Sequence, residues 1–396
     1  MDEFMNNDDK HRAEVAALQN QIYRLTKYIN DTENEHLRNS MADPHNPFDN
    51  PTEYHEYQDD YTEIQPLIAA PDYKPDLEPA AEERSNLRSA YAVGGWCSLL
   101  RFFVSYSLMN ILAFVIMQIL EARNPDADSA SINAFIENSS IWAGFNMLVF
   151  GLTNIGFALL GMKLSKQKLS SVFAPKNYKF RNFLQYSLIG FSLWFCSILL
   201  GQYVVNMFSL AGIRINSGGD YPATGIGFMV SAIYTCVVAP VTEELFFRGM
   251  LLKTFSRANQ RFAIFFTAFM FGLVHGNVAQ FILGFVLGIF FAHITLKHDS
   301  IIPAIGIHAL LNTMNVFMSS VNFTQYEELL IMKAQTLLAF VGIIALILFR
   351  VNDKLPMTTP AQVRRGAPVA RGSIGVVLAV SASVLYLVVN IYNLNG

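Results

Sequence analysis

Six residues concentrate the ionisable chemistry of an otherwise apolar region of this 396-residue chain: Glu243, Glu244, Arg248, His275, His308 and Asn312. Two adjacent carboxylates at the end of an apolar run, residues 226–252, are expensive to desolvate and mark a functional site by default. Arg248 follows Glu244 at i+4 on the same helix face and can neutralise it. Glu243 points about 100° away and needs another partner. A carboxylate and a neutral imidazole can together take a proton from water. His308 with Asn312 one turn later offers two donors on one helix face, suited to holding an oxyanion. With Arg248 beside only one carboxylate, the Glu pair divides into a candidate base and a structural acid.

The elements that must position these groups are apolar helices. The chain is 52% hydrophobic and 15% charged, with 32 phenylalanines. That profile points to an all-α, polytopic transmembrane helical bundle and away from a soluble enzyme. Apolar runs lie near residues 97–120, 138–162, 183–210, 226–252, 262–276, 278–296, 301–320, 329–349 and 373–393, giving eight or nine spans. The run at 262–276 is short and ends in Gly276-Asn277, which reads as a tight turn. From the 1.5 Å rise per residue, Glu243 sits roughly 15 Å inside the boundary at Lys253, and His275 roughly 20 Å from that side. His308 lies roughly 10 Å deep and Asn312 about 16 Å. Groups on three separate helices therefore converge on one layer.

Loop charges set the expected orientation. Lys163, Lys166, Lys168, Lys176, Lys179 and Arg181 share one loop without an acid, which places that loop in the cytoplasm. Lys253, Arg257, Arg261 and Lys297, then Arg350, Lys354, Arg364, Arg365 and Arg371, fall on the same side. The expectation is a multi-pass protein of the cell membrane with a cytoplasmic N-terminus and a site opening toward the cytoplasmic half. The N-terminus has no apolar h-region, so the first span is expected to serve as the insertion signal. Cys97, Cys196 and Cys236 read as small buried hydrophobes without a disulfide framework. His293 and His298, near a helix end, and His11, His36, His45 and His55, in the tail, read as structural or solvated.

Residues 1–88 hold 20 of the 31 acids but only 8 of the 28 bases, so residues 1–90 form an acidic tail on a membrane body at 91–396. Nucleic-acid binding is excluded because the bases flank apolar spans. Within the tail, residues 8–38 predict an amphipathic helix whose Val15, Leu18, Ile22, Leu25 and Ile29 follow coiled-coil spacing over a little more than two heptads. That seam makes the tail a candidate for self-association or for a protein partner. Residues 40–90, with Tyr54, Tyr57, Tyr61 and Tyr73, read as a disordered acidic linker.

Three motifs carry a family resemblance. Glu243-Glu244-Leu245-Phe246-Phe247-Arg248 resembles the EExxxR motif of the CPBP intramembrane proteases, which include the CAAX proteases and the bacteriocin-processing, or Abi, enzymes. Phe271-Gly272-Leu273-Val274-His275 resembles its FxxxH motif, and His308-Ala309-Leu310-Leu311-Asn312 its HxxxN motif. The resemblance covers about residues 183–320. It implies an intramembrane endopeptidase acting on a membrane-associated or lipidated peptide within the bilayer. Glu243 and His275 would activate water, His308 and Asn312 would hold the oxyanion, and Glu244 and Arg248 would support them. The favoured mechanism requires no cofactor. A zinc enzyme using Glu243, His275 and His308 is the alternative, although no HExxH pair shares a helix. The competing functional classes are a non-catalytic scaffold, immunity or regulatory protein keeping this fold, and a proton-coupled transporter, for which no inverted repeat is apparent.

Overall fold

A computed structural model describes residues 7–42, 78–124, 128, 131–132, 139–215, 225–257, 260–352 and 372–393. The tyrosine-bearing linker and the basic stretch from Lys354 to Arg371 lie outside the described residues. Contacts divide the chain into two units, Met1–Pro79 and Ala80–Gly396. The first contains α1, Asn7–Ala42, whose expected apolar stripe is exposed to solvent.

The second unit is built from helices, with no strand among the described residues. They are α2 (Glu78–Arg123), α3 (Ser140–Leu164), α4 (Phe180–Leu210), α5 (Gly225–Ser256), α6 (Gln260–Leu273), α7 (Val278–His298), α8 (Ile302–Ser320), α9 (Gln325–Asn352) and α10 (Ile374–Asn393). Eight helices among the described residues are long and apolar enough to cross a membrane. The remaining apolar run, at 262–276, is the one whose length is expected to be short. Its helix, α6, has 14 residues and reaches roughly 21 Å, short of a hydrocarbon core. A helix of this length is tolerated because α5, α7 and α10 pack around it. Two readings are corrected. Helix α2 begins at Glu78, inside the stretch expected to be linker, with Pro79 in the first turn where its missing N–H is harmless. Cys196 is exposed on α4, whereas Cys97 is buried and Cys236 intermediate.

Packing forms two apolar clusters that meet along α7. One joins α2, α3, α5, α6 and α10 around Tyr91, Phe246, Phe255 and Phe271. The other joins α4, α7, α8 and α9 around Tyr186, Phe290, Phe291 and Ile307. Helices α6 and α7 form a tight hairpin. Gly276 turns the chain at φ +71°, and the side chain of Asn277 caps α7 by accepting from the Gln280 N–H at 2.7 Å. A Cβ at Gly284 would stand 3.0 Å from Gly272 Cα, so the small residues are what let the two backbones approach.

The α7–α8 turn is fastened to the loop before α4. Asp299 ends α7 at φ +51°, and its carboxylate lies 2.9 Å from both Lys176 and Lys253. Burial pushes the Asp299 carboxyl up, but the hydrogen bonds and charges of Lys176 and Lys253 together hold it below its ordinary value of 3.8. A depressed carboxyl stabilises the fold above its unfolded value and loses that contribution as pH falls through the folded one. Asp299→Asn keeps a side chain tolerant of the left-handed backbone while removing both ion pairs. Thermal unfolding should show a loss below about 1 kcal/mol at neutral pH, discounted for solvent screening, that fades as the pH is lowered through the carboxyl's depressed range.

Candidate active site

The two acids sit on a helix whose backbone is distorted on both sides. In α5, residues Tyr234–Val238 and Leu245–Leu252 adopt the wider π-helical winding, with Glu243 and Glu244 between them. Such turns inside α-helices concentrate at functional sites. Pro240 accounts for the first. The Ala239 N–H donates to the Tyr234 carbonyl, so the next carbonyl, Thr235, would need the N–H that Pro240 lacks. Asn312 supplies the missing donor, its Nδ2 standing 2.8 Å from Thr235 O. One amide hydrogen of Asn312 is thereby committed to holding α8 on α5.

Glu244 and Arg248 form the pair expected from their spacing, Oε1 to Nη1 at 3.0 Å with both side chains fully buried. Arg248 donates further to Gly288 O at 3.4 Å, and its guanidinium stacks over the Phe271 ring at 4.2 Å. Gly288 makes this possible, since a Cβ there would come within 3.3 Å of Arg248 Nη2. His308 Nδ1 lies 2.9 Å from the same Glu244 oxygen. A carboxylate accepts, so the imidazole donates from Nδ1 and turns Nε2 toward Glu243 Oε2, 4.0 Å away. The ring is held flat against Phe291 at 5.3 Å. The nearer acidic partner of His308 is thus Glu244 rather than Glu243.

The two acids differ in access. The Glu243 side chain is 18% exposed and that of Glu244 is 0%. His275 closes α6, its Nδ1 2.8 Å from Phe271 O. A carbonyl can only accept, so the proton is on Nδ1 and Nε2 is the basic nitrogen. Among the described residues no hydrogen bond joins His275 directly to Glu243. The end of α6 is anchored from two other helices: Tyr106 of α2 donates to Val274 O and Asn390 of α10 to Gly276 O, each at 2.9 Å. These contacts satisfy carbonyls that a helix end leaves open and fix the backbone on either side of His275.

Residues 225–314 match the family described as Rce1-like, type II CAAX prenyl endopeptidase Rce1-like. All six residues of the site fall inside that segment. The CPBP resemblance is therefore borne out over a region narrower than residues 183–320, beginning at α5. Neither a curated protein nor a solved structure matches the chain. The segment similar to the CAAX prenyl endopeptidases thus lies within a chain whose described helices are long and apolar enough for a multi-pass membrane protein.

Support for the Rce1-like segment reaches it from outside. Arg101 of α2, only 4% exposed, donates to Asn154 Oδ1 at 2.7 Å, and Asn154 Nδ2 donates to Thr242 Oγ1 at 3.3 Å. Thr242 immediately precedes Glu243. The Arg101 guanidinium also lies over the Phe246 and Phe247 rings at 5.1 and 5.4 Å and within electrostatic range of Glu243. Sequence reasoning missed Arg101. Taken from Cys97, its run puts it one turn from a membrane boundary, within snorkelling reach. The helix starts at Glu78, however, and Arg101 lies midway along it. The missed signal was a cation inside an apolar run, the same criterion that singled out Glu243. Arg101→Met should lower turnover about tenfold by loosening the backbone at Thr242. Steady-state proteolysis would detect it as a fall in kcat with little change in KM.

The zinc alternative would draw on Glu243, His275 and His308. Among the described residues no three His, Cys, Asp or Glu side chains are placed to hold a metal ion. His308 and His275 each bond a protein oxygen through Nδ1, which leaves Nε2 of both rings available to the site. The remaining buried histidines are structural: His298 bridges Tyr186 OH and Lys176 O at 2.8 Å each, and His293 packs on Phe349.

Proposed function

We propose that this protein is an intramembrane endopeptidase hydrolysing a peptide bond of a membrane-associated or lipidated protein with a water activated by Glu243 and His275. The difference in exposure between the two glutamates carries this reading. Only Glu243 is open enough to touch water, while Glu244 is enclosed by Arg248 and His308. In the reaction, Glu243, assisted by His275 Nε2, takes a proton from water as the oxygen adds to the scissile carbonyl. His308 keeps its Nδ1–H on the Glu244 carboxylate and serves this step as the imidazolium, which places a second proton on Nε2. That proton and the free amide hydrogen of Asn312 stabilise the oxyanion. Collapse of the intermediate breaks the C–N bond, the departing amine receives the proton held by Glu243, and a carboxylate and an amine are released.

The basic loops favour a site in the cytoplasmic half of a cell membrane. A peptide anchored by a lipid on that face would present its bond at the depth of Glu243. Incubating the protein in vesicles with farnesylated peptides ending in a CaaX sequence, and with unmodified membrane peptides, tests the reading by mass spectrometry. Appearance of a new C-terminus in either set supports it, and intact peptides in both would count against it. Because the mechanism uses no metal, saturating chelator should leave the rate within about twofold. Loss of activity restored by zinc would overturn that part.

A further inference from the structure

The N-terminal helix presents a feature that the membrane site does not use. Along α1, Val15, Leu18, Ile22, Leu25 and Ile29 are 42%, 53%, 62%, 57% and 41% exposed, a continuous apolar stripe open to solvent. Assigning heptad positions from the 3,4 spacing puts Val15, Ile22 and Ile29 at a, and Leu18 and Leu25 at d. β-branched residues at a with Leu at d is the combination that favours a parallel pair of strands over higher assemblies.

The residues flanking the stripe choose among occupants. Inside the seam the e and g positions are Gln19, Gln21, Thr26 and Tyr28, all uncharged, with Glu14 at g just before it and Glu33 at e just beyond it, whereas Arg24, Lys27 and Asp31 fall at the outer c and f positions. A membrane-surface helix would carry lysine or arginine beside its apolar face, and these flanks carry none. A heterologous acidic or basic partner would likewise be selected by flank charges that are missing inside the seam. Two copies laid in parallel bring glutamine, threonine and tyrosine together with no like-charge pair. The seam spans little more than two heptads, so it would be weak between free helices. Copies held in one bilayer meet at a raised effective concentration and with one insertion direction, which favours the parallel register.

We propose that α1 is a dimerisation element, forming a two-stranded parallel coiled coil with α1 of a second copy of this chain. The test uses the full-length protein in native membranes. Leu25→Cys, at d, and Lys27→Cys, at the outer f position, are each oxidised with copper phenanthroline and compared with the parent chain on a non-reducing gel. Leu25→Cys should give a species of twice the chain mass at several times the yield of Lys27→Cys. Adding Ile22→Asp should reduce that yield to the Lys27→Cys level. Equal yields at the two positions, insensitivity to Ile22→Asp, or cross-linking of Leu25→Cys only to a species of another mass would overturn the proposal. Leu18→Cys copies joining Ile29→Cys copies more readily than their own kind would overturn the parallel arrangement.

Discussion

Glu244→Ala should cost the folded protein about 3–5 kcal/mol, the largest stability effect expected of a single substitution in this site. The carboxylate accepts from Arg248 at 3.0 Å and from His308 at 2.9 Å through one oxygen, and neither Glu244 nor Arg248 is exposed. Removing it leaves a guanidinium enclosed by the Phe247, Phe271 and Phe291 rings with no carboxylate bonded to it. Cation–π contacts of roughly 2 kcal/mol at best do not replace an ion pair in a low dielectric. The check is thermal or denaturant unfolding in detergent. Arg248→Met added to Glu244→Ala should recover part of the loss, because removing both charges abolishes the unpaired one. If the single substitution unfolds at the wild-type midpoint, the pair is not a structural element. His308 would lose its anchor as well, so activity falls too, but as a consequence of altered structure.

Glu243→Gln should act in the opposite way: a loss of about 10³-fold in kcat with unfolding within about 1 kcal/mol of wild type. Glutamine keeps the shape of the side chain and cannot take a proton from water. Glu243 is partly exposed and its nearest ionisable neighbour, His308 Nε2, stands at 4.0 Å, so little packing or bonding depends on its charge. A fall in kcat/KM of the same size as that in kcat would mark a role confined to the transition state. Because it keeps the cavity unchanged, Glu243→Gln is also the variant with which to trap and identify the substrate.

Much of this arrangement was legible in the sequence, for physical reasons. Ionisable residues in apolar runs are rare and cannot be hidden by composition, so Glu243, Glu244, Arg248, His275 and His308 stood out. The i+4 spacing was enough to pair Glu244 with Arg248, since helix geometry alone decides it. The Gly276-Asn277 turn was equally local. What the sequence did not disclose depends on rotation and relative placement of helices. The partner of His308 follows from how α8 sits on α5, which is set by Asn312 reaching the carbonyl exposed by Pro240. The relay from Arg101 through Asn154 to Thr242 links helices α2, α3 and α5, and nothing in the spacing of any one of them predicts it. The short reach of α6 was visible as a short run, but only its packing among α5, α7 and α10 explains why 14 residues suffice.

The proposed chemistry turns on the division of labour between two adjacent carboxylates. Its most direct test measures peptide cleavage and unfolding on the same preparations of Glu243→Gln and Glu244→Gln. The division predicts that Glu243→Gln abolishes cleavage at a wild-type unfolding midpoint, and that Glu244→Gln shifts the midpoint clearly downward. Cleavage retained by Glu243→Gln in a folded protein would contradict it.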